Sequence, residues 1–225
     1  MTGTAGEMPA AEADLLGRAA RTMVTAGPTL SGTQRRKLAV QARTAAAATS
    51  ADTSTGTRAG DDRGQPDPPP RPSSNEPLDE LTHRLTVAPA SIRQAFVREL
   101  EGHGVPAATY VEVLGLVARL TAIDTFAIGL GVPPVDLPPP ADDQPTGEVA
   151  TEATIDGGWV PTVGPASPPS ALSLTPSEHR AMLDLHRVFY LSIPEMGDLD
   201  ADRGLHRTQM ELVAARASLL NECFF

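Results

Sequence analysis

The chain has 225 residues, a net charge of −10 and a single cysteine, with 22 prolines and 19 glycines. The acidic balance argues against a nucleic-acid-binding surface, and one cysteine excludes an internal disulfide framework. The first sixteen residues are acidic and polar, unlike a secretory or transit leader. The most apolar run, 110–130, is interrupted by Glu112, Arg119 and Asp124, which argues against a membrane span. A reducing, cytoplasmic location is the default expectation. Arginine outnumbers lysine 17 to 1 and alanine and proline are abundant, which points to GC-rich coding DNA rather than to a function.

Two stretches, 49–76 and 132–174, hold five and ten of the prolines and are expected to add little to a core. The remainder suits one helical domain. Residues 11–26 and 30–48 read as two Ala-rich helices broken at Pro28, forming an N-terminal segment 1–48. Arg35, Arg36 and Lys37 form a basic run expected on a solvated helix face. Residues 49–76 read as a linker, with too few apolar side chains to offset the entropy of ordering.

A first helical repeat is expected over 77–131. Pro77 opens a short helix. Ile92, Ala95, Phe96 and Leu100 recur at helical spacing, and Gly102 and Gly104 follow. Pro106 introduces the longest helix, to Gly129, whose apolar residues cover most of its circumference and leave a narrow polar edge at Glu112 and Arg119. The Pro-rich connection 132–174 carries the only tryptophan, Trp159, expected to anchor onto the helical core. Thr175 and Glu178 match a capping box opening a helix to about Leu191, with Leu183, Val188, Phe189 and Leu191 as core candidates. His179 and His186 are seven apart on that helix, but no third ligand is evident, so no metal site is expected. A final helix starts at Arg207 or Thr208 and runs to Leu220.

Glu211 and Cys223 are twelve residues apart, about 120° on a straight helix. Cooperation between them therefore requires a break. Asn221, a favoured N-cap, supplies one. Cys223 would then fall in the first turn of a new helix, where the dipole and unpaired N–H groups favour a thiolate, and Glu211 could accept its proton.

The run Gln209-Met210-Glu211-Leu212-Val213-Ala214-Ala215-Arg216 through Leu220-Asn221-Glu222-Cys223-Phe224 resembles the alkylhydroperoxidase D-like, carboxymuconolactone decarboxylase superfamily. That signature is a glutamate, then about twelve positions on a C-x-x-C, then a histidine. Glu211 and Cys223 match the first two elements. Residues 110–132 and 159–161 also resemble the upstream half of two-repeat bacterial members. The resemblance implies an all-α, AhpD-like fold with long Pro-rich loops and an incomplete second repeat over 175–225. It implies a thiol-dependent peroxidase with Cys223 as redox residue and Glu211 as its acid/base partner. Its partners would be a peroxide and a thiol reductant, with no cofactor and no metal, and members commonly associate through helical faces.

Glu112 and Asp124 are also twelve apart, 99 residues upstream of Glu211 and Cys223, and Phe126 then corresponds to Phe225. The first repeat would be redox-inactive, because Asp124 cannot do thiol chemistry. The second cysteine of the motif would stand at position 226. Three readings of that position stay open: a truncated or decayed gene, a selenocysteine codon taken as a stop, or a short protein with another role. In the first, peroxidase activity of the 225-residue chain is expected to be negligible. A UGA followed in frame by a histidine codon identifies the second. The rival function is a non-catalytic helical interaction module in which the thiol is incidental.

Overall fold

The computed structural model describes residues 10–55 and 76–220. Seven α-helices lie in this range: α1 Ala10–Thr22, α2 Gly32–Thr55, α3 Pro77–Val87, α4 Gln94–Gly102, α5 Ala107–Gly129, α6 Pro176–Phe189 and α7 Arg207–Leu220. Among the described residues the only β pairing is two isolated bridges, Thr154 with Thr162 and Asp202 with His206. No described helix is long and apolar enough to cross a membrane. The chain is all-α, as its periodicity implies. It divides into two compact units, residues 1–179 and 180–225, with the boundary inside α6.

In the first unit α5 is the central element, and α1, α2 and α3 pack against it. Val111, Val113, Leu116, Val117, Leu120 and Ile123 are all buried along it. Its apolar residues lie on nearly every side, the pattern of a helix surrounded by others. Ile128, near its end, is the exception and is exposed. Both α4 and α5 close on a glycine in the left-handed region. Gly104 has φ +80° and Val105 N–H donates to Leu100 O (2.9 Å); Gly131 has φ +71° and Val132 N–H donates to Ala127 O (3.0 Å). A residue with a Cβ pays a steric cost at that φ, so these glycines set where the helices stop.

The Pro-rich segment is better ordered than its composition implies. From Val132 to Pro140, residues 132, 135, 137 and 138 are half-buried, whereas Pro133, Pro134, Asp136, Pro139 and Pro140 are exposed. The spacing of 132, 135 and 138 matches the three-residue turn of a polyproline II strand. Arg36 Nε donates to Pro138 O (3.1 Å) and Arg43 Nη2 to Val135 O (2.8 Å). Seven residues of α2 advance about 10.5 Å and three of polyproline II about 9.3 Å, so two arginines one heptad apart reach carbonyls one strand turn apart. The strap continues along the α1–α2 loop. Ala141, Thr146 and Gly147 N–H donate to Val24, Gly27 and Pro28 carbonyls (each 2.9 Å), and Ala26 N–H donates to both Asp143 carboxylate oxygens (3.0 Å). Ala150, Leu172 and Leu174 are buried. The expectation that 132–174 adds little to the core is therefore corrected.

Trp159 does not anchor onto the helices. It is 46% exposed, carried on a turn that the Thr154–Thr162 bridge and Gly157 (φ +77°) close onto itself. Helix α2 also runs on to Thr55, past the expected end at residue 48. The rest of the expected linker, residues 56–75, lies outside the described residues.

The second unit holds the remainder of α6, a short connection and α7. Ser192 and Glu195 shape the connection: Ser192 N–H (2.8 Å) and Oγ–H (2.7 Å) both donate to Glu195 Oε2. His206 precedes α7 and caps it. Its N–H donates to Gln209 Oε1 (3.0 Å), and Thr208 N–H donates to His206 Nδ1 (3.3 Å). The reciprocal pattern satisfies amides that the first helical turn leaves unpaired.

Candidate functional site

Glu211 lies one turn into α7, and its carboxylate is half-exposed. Two side chains meet it on one oxygen. Tyr190 Oη–H donates to Oε1, and Arg207 Nη2 lies 2.7 Å from the same atom. Oε2 has no donor among the described residues. The Arg207 guanidinium also sits over the Tyr190 ring, 5.9 Å from its centroid, and the His186 ring meets Tyr190 edge-on at 5.5 Å. Burial, and then the hydrogen bond to Glu211, hold the Tyr190 phenol above its usual value of 10, with Arg207 opposing. Tyr190 therefore remains a donor throughout the neutral range.

An open cavity of about 360 Å³ adjoins this cluster. It is lined by Val188, Phe189, Tyr190, Leu205, Met210 and Val213, with the small side chains of Ala214 and Ala217 and one charged residue, Arg203. Met210, Val213, Ala214 and Ala217 are one stripe of α7, at helical spacing. A volume of this size is at the small end of ligand pockets. Val188, expected in the core, is instead 44% exposed.

Cys223 and Asn221 lie outside the described residues. The upstream counterparts are described, and both are engaged in packing. Asp124 accepts from Arg43 through both oxygens (2.8 Å each). Glu112 is 0% exposed and lies in a buried cluster with Arg35, Arg119 and Glu178.

That cluster is the most unusual feature of the first unit. Glu112 Oε2 accepts from Thr29 N–H (2.7 Å), Thr29 Oγ1–H (2.6 Å) and Leu30 N–H (3.2 Å). Its Oε1 accepts from Arg35 Nη1 (2.5 Å). Arg35 Nη1 also lies 2.9 Å from Glu178 Oε1, and Arg119 Nη2 donates to Glu178 Oε2. Both arginines reach Thr22 at the end of α1: Arg35 Nη2 donates to its carbonyl (3.1 Å) and Arg119 Nη1 to its hydroxyl (2.7 Å). Cations at a helix C-terminus complement the helix dipole. Burial pulls the Arg119 guanidinium below its usual value, opposed by Glu178.

The two charges of each sign cancel, and each carboxylate oxygen faces a donor, so the cluster offers no base to a substrate. It locks the α1–α2 loop, α5 and the first turn of α6 together. Two glycines admit it. A Cβ on Gly27 would lie 2.8 Å from Glu112 Cδ and closer still to Glu112 Oε1 and Arg35 Nη1; one on Gly115 would lie 2.9 Å from Glu178 Oε2.

One expectation about charge is corrected here. Arg35 is 1% exposed, not part of a solvated face; only Lys37 of the basic run is exposed. The narrow polar edge at Glu112 and Arg119 lies against this buried network. Glu178 directs its carboxylate at the arginines, and Thr175 Oγ1–H turns back to Leu172 O (3.3 Å). His179 and His186 each meet a backbone carbonyl, of Pro169 (2.9 Å) and Leu191 (2.6 Å).

Comparison with known proteins gives no further identification: no family model, curated protein or solved structure matches the chain. Tyr190, which no local spacing connects to Glu211, was not among the residues that the sequence singled out.

Proposed function

We propose that the chain is a thiol-dependent, peroxidase-like oxidoreductase of the alkylhydroperoxidase D-like kind, with Cys223 as the reacting thiol and Glu211 as its acid/base partner. The observation that carries this reading is the state of Glu211. One carboxylate oxygen is held by Tyr190 and Arg207, the other meets no donor among the described residues, and a largely apolar cavity adjoins the cluster. A carboxylate of this kind is suited to moving a proton. The residue run from Gln209 to Phe224 adds the Glu–Cys spacing.

In the reaction Glu211 takes the proton of the Cys223 thiol. The thiolate attacks the terminal oxygen of a hydroperoxide and the O–O bond breaks. The departing alkoxide recovers the proton from Glu211, leaving an alcohol and a sulfenic acid. A second thiol or selenol then condenses with the sulfenic acid, releasing water, and a thiol reductant reduces the resulting bond. Because Cys223 is the only cysteine, the first step can be followed by itself. Trapping of the sulfenic acid with dimedone in the intact 225-residue chain, slowed by Glu211→Gln, is the expected result. Equal trapping in the two proteins sinks the assignment.

A second reading, a helical interaction module, is favoured by one observation. Leu212, Val213, Leu219 and Leu220 of α7 are all more than 60% exposed, an apolar excess that suits packing against another helix.

A further inference from the structure

We infer that α7 packs in parallel against α7 of a second copy of the chain, along a seam of Thr208, Leu212, Ala215 and Leu219 closed by two symmetric Glu211–Arg216 ion pairs. The inference goes beyond the peroxidase-like reading and gives the interaction-module reading its partner. It uses only residues of the second unit and does not involve Cys223.

The first observation is the spacing. Residues 208, 212, 215 and 219 are separated by four, three and four positions, the repeat that keeps one line of a helix turned towards a partner helix. All four are exposed, and Leu212 (71%) and Leu219 (77%) are among the most exposed large apolar side chains described. The seam is distinct from the side of α7 that faces its own unit. On that side Arg207 and Met210 are buried, and Met210, Val213 and Ala214 line the cavity. Large and small residues alternate along the seam. In two parallel copies the leucines stack as two layers, and Thr208 and Ala215 let the helix axes come close between them.

The second observation is charge. Glu211 immediately precedes Leu212 and Arg216 immediately follows Ala215, so the two flank the seam on opposite sides, five residues apart. In a parallel helix pair, a residue at the first of these places meets the residue at the second place on the partner. Glu211 is held through Oε1 by Tyr190 and Arg207, while Oε2 has no donor among the described residues. Arg216 is exposed and has no ion pair or hydrogen-bond partner among the described residues. A free acceptor and a free cation thus stand where a second copy brings them together, twice by symmetry. An antiparallel pair sets like flanks together, Glu211 against Glu211 and Arg216 against Arg216, and is repelled. The face is therefore complementary to itself in one orientation, which singles out a second copy as its occupant over an unrelated apolar helix.

Two heptads bury less than the about 800 Å² per partner of a standard interface, so the association is weak and reversible. The test is sedimentation equilibrium of the intact 225-residue chain from about 10 to 500 µM, the range suited to an interface of this size. A thiol reductant is present so that no disulfide contributes. The parent is expected to pass from monomer to dimer. Leu219→Ser removes two seam leucines per dimer and is expected to weaken it about 100-fold. Leu220→Ser, equally exposed at 71% but outside the seam, is expected to leave it unchanged. Arg216→Gln is expected to weaken the dimer about 3- to 10-fold, since each pair lost is worth up to about 1 kcal/mol. In an antiparallel pair the same change relieves a repulsion and tightens it. Circular dichroism checks that each variant keeps its helix content.

A parent that stays monomeric throughout overturns the inference. Equal effects of Leu219→Ser and Leu220→Ser overturn the seam, and a dimer that Arg216→Gln tightens or leaves alone overturns the ion pairs and the parallel orientation. None of these readouts follows Cys223, so failure here leaves the peroxidase-like reading to the dimedone experiment.

Discussion

Replacing Glu112 by glutamine isolates the value of the buried charge network. The amide oxygen of the variant can still accept from Thr29 and Leu30, so the α1–α2 loop keeps its acceptor. The amide NH2 then faces Arg35 Nη1, where Glu112 Oε1 now accepts at 2.5 Å. A donor meets a donor, and a neutral four-charge cluster acquires one uncompensated positive charge at sites no more than 3% exposed. Breaking a buried pair in this way costs about 3–5 kcal/mol. For a chain of this size, that lowers Tm by about 6–20 °C and the urea midpoint by about 1.5–2.5 M. The comparison protein is Arg43→Met, which removes the half-buried pair with Asp124 and the hydrogen bond to Val135 O and is expected to cost about 1–2 kcal/mol. Urea unfolding followed by circular dichroism measures both, and hydrogen exchange at the Thr29 and Leu30 amides reports the loop directly. A Glu112→Gln protein no less stable than Arg43→Met would refute the reasoning, because burial would then have conferred nothing on the charge.

Gly27→Ala is expected to destabilise by about 2–4 kcal/mol, since its Cβ meets the Glu112–Arg35 pair and the pair must separate to admit it; thermal unfolding checks this. Asp143→Ala removes the acceptor of Ala26 N–H and should cost about 1–2 kcal/mol, with faster exchange at that amide as its local signature. Glu195 is expected to titrate at about 2, because the Ser192 hydroxyl and amide donate to its carboxylate, assisted by Arg203. A depressed carboxyl contributes stability above its unfolded value and loses it as pH falls through about 2, so the contribution is intact at pH 5. Ser192→Ala should raise the midpoint seen by NMR, and an unchanged midpoint would discount the hydroxyl as the main cause.

The helices were legible because apolar residues recur at helical spacing, and α5 was legible as buried because they recur on every side. The charge network was not. A basic run reads as a solvated face unless its partners are known, and Arg35 meets Glu112 and Glu178 from 77 and 143 residues away. Glu178 was misread for a related reason: a glutamate after Thr175 has the sequence of a cap, and only the packing of α5 at Gly115 shows where its carboxylate goes. The Pro-rich segment was underrated because composition measures side chains, whereas its order comes from backbone amides and carbonyls. In the second unit Glu211 was singled out by its spacing from Cys223. Tyr190 was not, since it comes from another element, 21 residues earlier.

The strap over α2 also limits which changes the chain can absorb. Arg36 and Arg43 grip carbonyls three residues apart, so substitutions at Pro133, Pro134, Pro139 or Pro140 leave the grip in place. Insertion or deletion of one residue between Val135 and Pro138 does not, because it offsets one carbonyl by about 3 Å and rotates it by a third of a turn. Length in this segment is therefore held more tightly than identity. A stretch that looks like a drifting, GC-driven spacer acts as a gauge block set between two arginines.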